Sequence, residues 1–166
     1  MIYTVAAALA STLSFIVFLL LAVWYVAPWL RNCDRADALI GLLWVQAFRY
    51  VALQIFSAQK FGFAVSDAAR DQIAVGDVVG AILAVCAIVA LRYRTRIAIA
   101  LTWLFAAETL LDLVSSTMSG LRESLFETAA GVTWLILTFY VPVLWISLGL
   151  IAWQLYGRRH EPLTSS

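Results

Sequence analysis

Five apolar runs of about 20 to 30 residues each, separated by short clusters of charge, constrain this chain more than any motif does, because a helix of about 20 residues already crosses a hydrocarbon core about 30 Å thick. Inside such a core every backbone N–H and C=O must find its partner within the protein, which leaves helices and closed barrels as the spanning structures. The runs are continuously apolar and lack the alternation over about 10 residues that a barrel strand needs. The expected fold is therefore an all-α integral membrane protein, a bundle of about five transmembrane helices. Composition agrees: 64% of the 166 residues are hydrophobic and 13% charged, against about 45 to 50% and about 25% in soluble domains.

The expected spans cover about residues 2–30, 38–57, 73–91, 97–118 and 128–156, a single transmembrane domain over 1–157 with a polar, disordered cytoplasmic tail over 158–166. The first run ends in Trp24, Tyr25, Pro28 and Trp29, an aromatic belt of the kind that sits at headgroup level. It lacks the basic start of a signal peptide, and its small residues (Ala6 to Ser11) precede the apolar stretch, so it reads as a retained span. Arg92-Tyr93-Arg94-Thr95-Arg96 reads as a tight turn closing an antiparallel helical hairpin. Ser66 or Asp67 reads as a helix cap behind the interfacial Phe61 and Phe63. Ser124 and Glu127 match a capping box that opens the last span. Pro142 leaves the Thr138 carbonyl without its helical donor and predicts a kink.

Cytoplasmic loops carry the excess of Lys and Arg. Five spans put Arg31, Arg35, Arg92, Arg94, Arg96, Arg158 and Arg159 on one side, and Lys60, Arg70 and Arg122 on the other. The expected location is a cell inner membrane, with the N-terminus outside and the C-terminus cytoplasmic.

Ionisable groups at bilayer depth cost at least about 2.5 kcal/mol each, so they should face the bundle interior with partners. Arg49, Asp77, Glu108 and Asp112 are such groups and fall at similar depth on three different spans. Gln46, Arg49, Tyr50 and Gln54 share one helical face, as do Glu108, Asp112 and Ser115. Thr133, Tyr140, Ser147 and Gln154 recur every seven residues along the last span. Asp77, Gly80 and Ala84 mark a face of small side chains open to close approach. One arginine cannot neutralise three carboxylates, and desolvation and like charge both disfavour ionisation. At least one carboxyl is thus expected to be protonated at neutral pH or balanced by a bound cation. The plainer alternative is a buried ion pair of Arg49 with Glu108 or Asp112 that sets helix register, with Asp77 capping backbone N–H groups.

Absences narrow the field. The net charge of +1, without a basic tract, argues against nucleic acid as a partner. The one histidine, His160, lies in the tail, which argues against histidine-based haem or zinc sites and histidine catalysis. The one lysine, Lys60, lies in a connection, so a Schiff base within the bundle has no bearer. Cys33 and Cys86 make no metal spacing and read as free thiols. No phosphate-binding glycine motif occurs. No cofactor and no metal are expected.

Leu42-Leu43-Trp44-Val45-Gln46-Ala47-Phe48-Arg49-Tyr50, with the stretch Asp67 to Asp77, resembles segments of a family of bacterial multi-pass inner-membrane proteins that has no assigned activity. That resemblance implies a membrane fold and carries no activity, cofactor or site residue with it. Three functional readings follow from the residues. The first is a protein that binds or transports a small ligand, proton or cation through the buried cluster, with Arg49, Asp77, Glu108, Asp112, Gln46, Gln54 and Tyr140 as the ligand-binding set. The second is an accessory or structural subunit of a membrane complex, or a homo-oligomer. The third is a membrane enzyme acting on a lipid-like substrate through Glu108 or Asp112. The expected surroundings are the lipid bilayer and a small solute or lipid-like ligand.

Overall fold

The computed structural model describes residues 2–161 and 163. Among them, five helices are long and apolar enough to cross a membrane: α1 (Thr4–Arg31), α2 (Arg35–Lys60), α3 (Asp67–Arg92), α4 (Ala98–Arg122) and α5 (Val132–Gly157). No strand occurs among the described residues, so the molecule is the all-α membrane bundle that its apolar runs imply. The helices have 25 to 28 residues. At about 1.5 Å per residue they outrun the hydrocarbon core, and their ends reach headgroup level.

Local chemistry moves two helix starts away from the positions read from the sequence. α3 begins at Asp67 instead of Ile73, because the Ser66 hydroxyl accepts the Ala69 N–H and caps the helix. α5 begins at Val132 instead of Thr128. Ser124 adopts a left-handed conformation and makes no side-chain cap bond, so the anticipated capping box is not formed. Leu125–Thr128 makes a single turn, and Gly131, at φ 56°, supplies the reversal that a side chain would resist and so leads the chain into α5.

Both prolines inside the spans are accommodated in the same way. The Ala27 N–H reaches back to the Ala22 carbonyl and the Val141 N–H to the Ile136 carbonyl, five residues instead of four, and Pro28 and Pro142 follow at once. The wider π turn makes room for a ring that would press on the carbonyl one turn back.

Helices α2 to α5 form the packed centre. α3 lies against α2 and α4, and α5 lies against α2 and α4, while α1 sits outside with α5 as its main support. Leu9, Leu13, Ile16 and Val17 on α1 stay exposed, as suits a surface solvated by lipid. Two apolar clusters fill the interior. Leu39, Leu43, Ala84, Ile88, Phe105 and Ile151 belong to the one nearer the α3–α4 turn, and Ile55, Phe63, Val65, Ala74 and Leu125 to the one at the opposite end. On α2 and α3 the charged residues Arg49 and Asp77 fall between them.

The start of the expected loose tail is folded. Arg158 donates to the carbonyls of Leu30 and Cys33, each at 3.0 Å, and so closes the C-terminal end of α1. Arg35 donates in turn to the Leu155 and Glu161 carbonyls, each at 3.1 Å. These bonds satisfy carbonyls that a helix end leaves without partners. Residues 162 and 164–166 of the tail, and the disorder expected there, lie outside the described residues.

Candidate functional site

Between Phe48 and Gln54 helix α2 tightens to a 3-10 form. Three residues per turn place side chains at i and i+3 directly above one another. Gln46, Arg49, Ala52 and Ile55 are all buried on one face as a result, and Tyr50 turns outward with half its surface exposed. This breaks the stripe of Gln46, Arg49, Tyr50 and Gln54 that α-helical spacing implies. Gln54 is half-buried.

Arg49 is wholly buried. Its Nε donates to Asp77 Oδ1 at 2.8 Å, its Nη1 to Thr109 Oγ1 at 2.9 Å, and its Nη2 to Asp112 Oδ2. One guanidinium thereby ties α2 to α3 and α4. The room for it comes from α3. A Cβ on Gly80 would lie 2.6 Å from Arg49 Nη1 and 3.2 Å from Glu108 Oε2, and a Cβ on Gly76 would collide with the Asp112 carboxylate. The small-residue face of α3 thus makes space for charged side chains as well as for a neighbouring backbone.

Asp77 lies well inside α3 and caps nothing. It is an ion-pair partner of Arg49, together with Asp112. Glu108 is not such a partner among the described residues. It is half-buried and accepts from Thr109 Oγ1 at 3.2 Å. Gln46 and Tyr140 serve a different contact. Gln46 Nε2 donates to the Leu144 carbonyl at 3.0 Å and to Ser147 Oγ at 2.7 Å, and the Tyr140 hydroxyl donates to the Val45 carbonyl at 3.1 Å, so both join α2 to α5. Of the seven-residue series on α5, Thr133, Ser147 and Gln154 are buried and Tyr140 is partly so, and all four face inward.

Asp77 and Asp112 open onto a cavity of about 360 Å³ that Gln54, Tyr140, Ser116 and Trp145 also line. The remaining walls are mostly apolar, among them Phe15, Ile55, Leu113, Ile136 and Leu137. Arg49 stands behind the two carboxylates with no exposed surface of its own, while Asp77 and Asp112 expose 14% and 9% of theirs. Arg49 engages one oxygen of each. Asp112 Oδ1 receives only a long bond from Ser116 Oγ, at 3.4 Å, and Asp77 Oδ2 has no partner among the described residues. A carboxylate offers about four acceptor positions, so this wall can accept hydrogen bonds from a donor or cationic group. No group of three or more His, Cys, Asp or Glu among the described residues is arranged to hold a metal ion.

Thr109, Gly76 and Ser116 complete the site, and the sequence reading passed over them. Two spacings carried the signal: Thr109 lies three residues before Asp112, and Gly76 one turn before Gly80, so each faces the network that its neighbour joins.

The fold and the site together define a five-helix membrane bundle with an arginine–carboxylate layer at its centre and a lipophilic cavity against that layer. Over residues 6–156 the chain matches the family described as Domain of unknown function (DUF8737), and it belongs to that family. No curated protein and no solved structure matches the chain.

Proposed function

We propose that this protein binds a small amphiphile within the membrane, either to sense it or to carry it across. The apolar body of the ligand fills the cavity, and its cationic or hydrogen-bond-donating end meets Asp77 and Asp112. The observation that carries this reading is the acidic wall of the cavity, backed by a single buried arginine. Arg49 offsets one negative charge, whereas Asp77, Asp112 and the neighbouring Glu108 can hold three. A charge deficit at this depth is costly and is relieved by a proton or a bound cation. The volume of about 360 Å³ falls in the range of small-molecule sites. We place the protein in a bacterial inner membrane, as the resemblance of Leu42 to Tyr50 implies, and orient it N-terminus outside and C-terminus cytoplasmic on the strength of seven basic residues on one side against three on the other.

A second reading, a subunit that contributes helices to a larger membrane complex, has one observation in its favour. All three guanidinium nitrogens of Arg49 are satisfied within the protein, as in an ion-pair network that only sets register.

The test is equilibrium binding of a radiolabelled long-chain primary amine, and of the alcohol of the same length, to the protein in nanodiscs. The amine should bind saturably and at least about tenfold more tightly than the alcohol. Asp112→Asn should remove about that tenfold, a loss of roughly 1.4 kcal/mol, and Leu137→Trp, which fills the cavity, should abolish binding. Equal partitioning of amine and alcohol, unchanged by Asp77→Asn or Asp112→Asn, would sink the proposal. Loss of a co-purifying membrane protein from those variants would instead favour the subunit reading.

A further inference from the structure

A second groove lies between α1 and α5, on the arginine-rich half of the molecule, and none of the contacts around Arg49 reaches it. Its volume is about 370 Å³. Small residues (Ala22, Ala27 and Gly149) line it together with bulkier ones such as Leu19, Trp145 and Leu150, and Arg31 is the last of its α1 residues, with the guanidinium 5.4 Å from the centre of the Trp153 ring. From Leu19 to Arg31 the helix advances about 18 Å at about 1.5 Å per residue, slightly more than half of a hydrocarbon core about 30 Å thick. The groove therefore runs from the middle of the bilayer to headgroup level, the depth of a single acyl chain, and a cation waits at the outer end.

We propose that this groove holds one acyl chain of an anionic phospholipid whose phosphate is bound by Arg31. Arg31 makes no hydrogen bond or ion pair among the described residues, and stacking on Trp153 leaves the N–H edges of its guanidinium free. The same end of the molecule carries the seven arginines counted above against Asp34, Asp37 and Glu161, so anionic headgroups are drawn to it. At Gly149 an added Cβ would meet nothing within 4 Å, which shows that this part of the groove is open space.

The experiment uses the full chain, equilibrated with mixed micelles holding equal amounts of phosphatidylglycerol and phosphatidylcholine, and counts retained lipids by native mass spectrometry. Phosphatidylglycerol should be retained at about one per chain and preferred by at least about fivefold, the factor that one guanidinium near a headgroup supplies. Arg31→Gln should bring it down to the phosphatidylcholine level. Gly149→Leu should do the same with Arg31 still in place, and because its side chain projects into open space the variant should keep the elution profile of the parent. Arg159→Gln, which removes the same charge at a residue that does not line the groove, should lower retention clearly less than Arg31→Gln does. Equal retention of the two lipids by the parent chain would overturn the proposal. So would insensitivity to both Arg31→Gln and Gly149→Leu, an Arg159→Gln loss as large as that of Arg31→Gln, or full displacement of the lipid by millimolar inorganic phosphate.

Discussion

Gly76 and Gly80 matter for what their neighbours do with the missing side chains. Arg49 and Asp112 occupy that volume, and either could yield only by giving up hydrogen bonds that hold α2, α3 and α4 together. Gly80→Ala should therefore destabilise the protein by about 1–3 kcal/mol, read as a lowered midpoint in detergent or thermal unfolding, whereas Gly149→Ala, whose Cβ would meet nothing within 4 Å, should raise stability by about 0.4–1 kcal/mol. Arg49→Met leaves Asp77 and Asp112 buried without a counter-charge and should cost about 3–5 kcal/mol. Adding Asp77→Asn and Asp112→Asn to Arg49→Met should recover at least half of that loss, and no recovery would mean that the arginine stabilises through packing alone. At this scale Arg49, Asp77 and Asp112 were legible, because a charge at bilayer depth is conspicuous in any apolar run. Thr109 was not, since a threonine in a membrane helix ordinarily bonds its own backbone, as Thr102 and Thr138 do here.

Helix ends and irregular turns decide how those residues are aimed. The 3-10 turn of α2 buries Arg49 and turns Tyr50 outward, and the Ser66 cap sets the register of α3 that brings Asp77 to the same level. Ser66 also anchors the preceding loop, since its N–H donates to Glu123 Oε2 at 2.9 Å and its hydroxyl donates to Glu123 Oε1. These bonds hold the Glu123 carboxyl below the usual carboxylate range, which is about 4.3 for a free glutamate. A depressed folded value means that the anchoring is fully present above that pH and is lost as pH falls through the lower folded one. Amide protection at Phe63 to Ala69 should accordingly fall as the medium is acidified below about pH 4. Glu123→Gln should flatten the dependence, and a profile unchanged by that substitution would rule out the anchor. Ser66→Ala should in addition cost about 0.5–2 kcal/mol as a lost N-cap. Sequence periodicity located the helices but not these details, because a capping pattern such as Ser124 to Glu127 states what is permitted, while loop packing decides whether it forms.

For the molecule as a whole, the odd number of spans among the described residues puts Thr4 and Gly157 on opposite faces, with the α3–α4 turn on the side of Gly157. In a Cys33→Ser, Cys86→Ser background, Arg94→Cys and Arg159→Cys should react with an impermeant maleimide only after cells are opened, and Gly62→Cys should react in intact cells. Opposite behaviour of Arg94→Cys and Arg159→Cys would refute the span count, and reversal of all three would refute the orientation alone. Residue order by itself determined the solvent and the number of spanning helices, because transfer of a side chain into lipid depends on what it is and how long its apolar run is. Tertiary structure alone decided that Arg49 takes Asp77 and Asp112 and leaves Glu108 aside, that two glycines shelter it, and that a cavity opens against the carboxylates. Those outcomes depend on distances between helices far apart in the chain, which side-chain packing sets and one-dimensional periodicity does not contain.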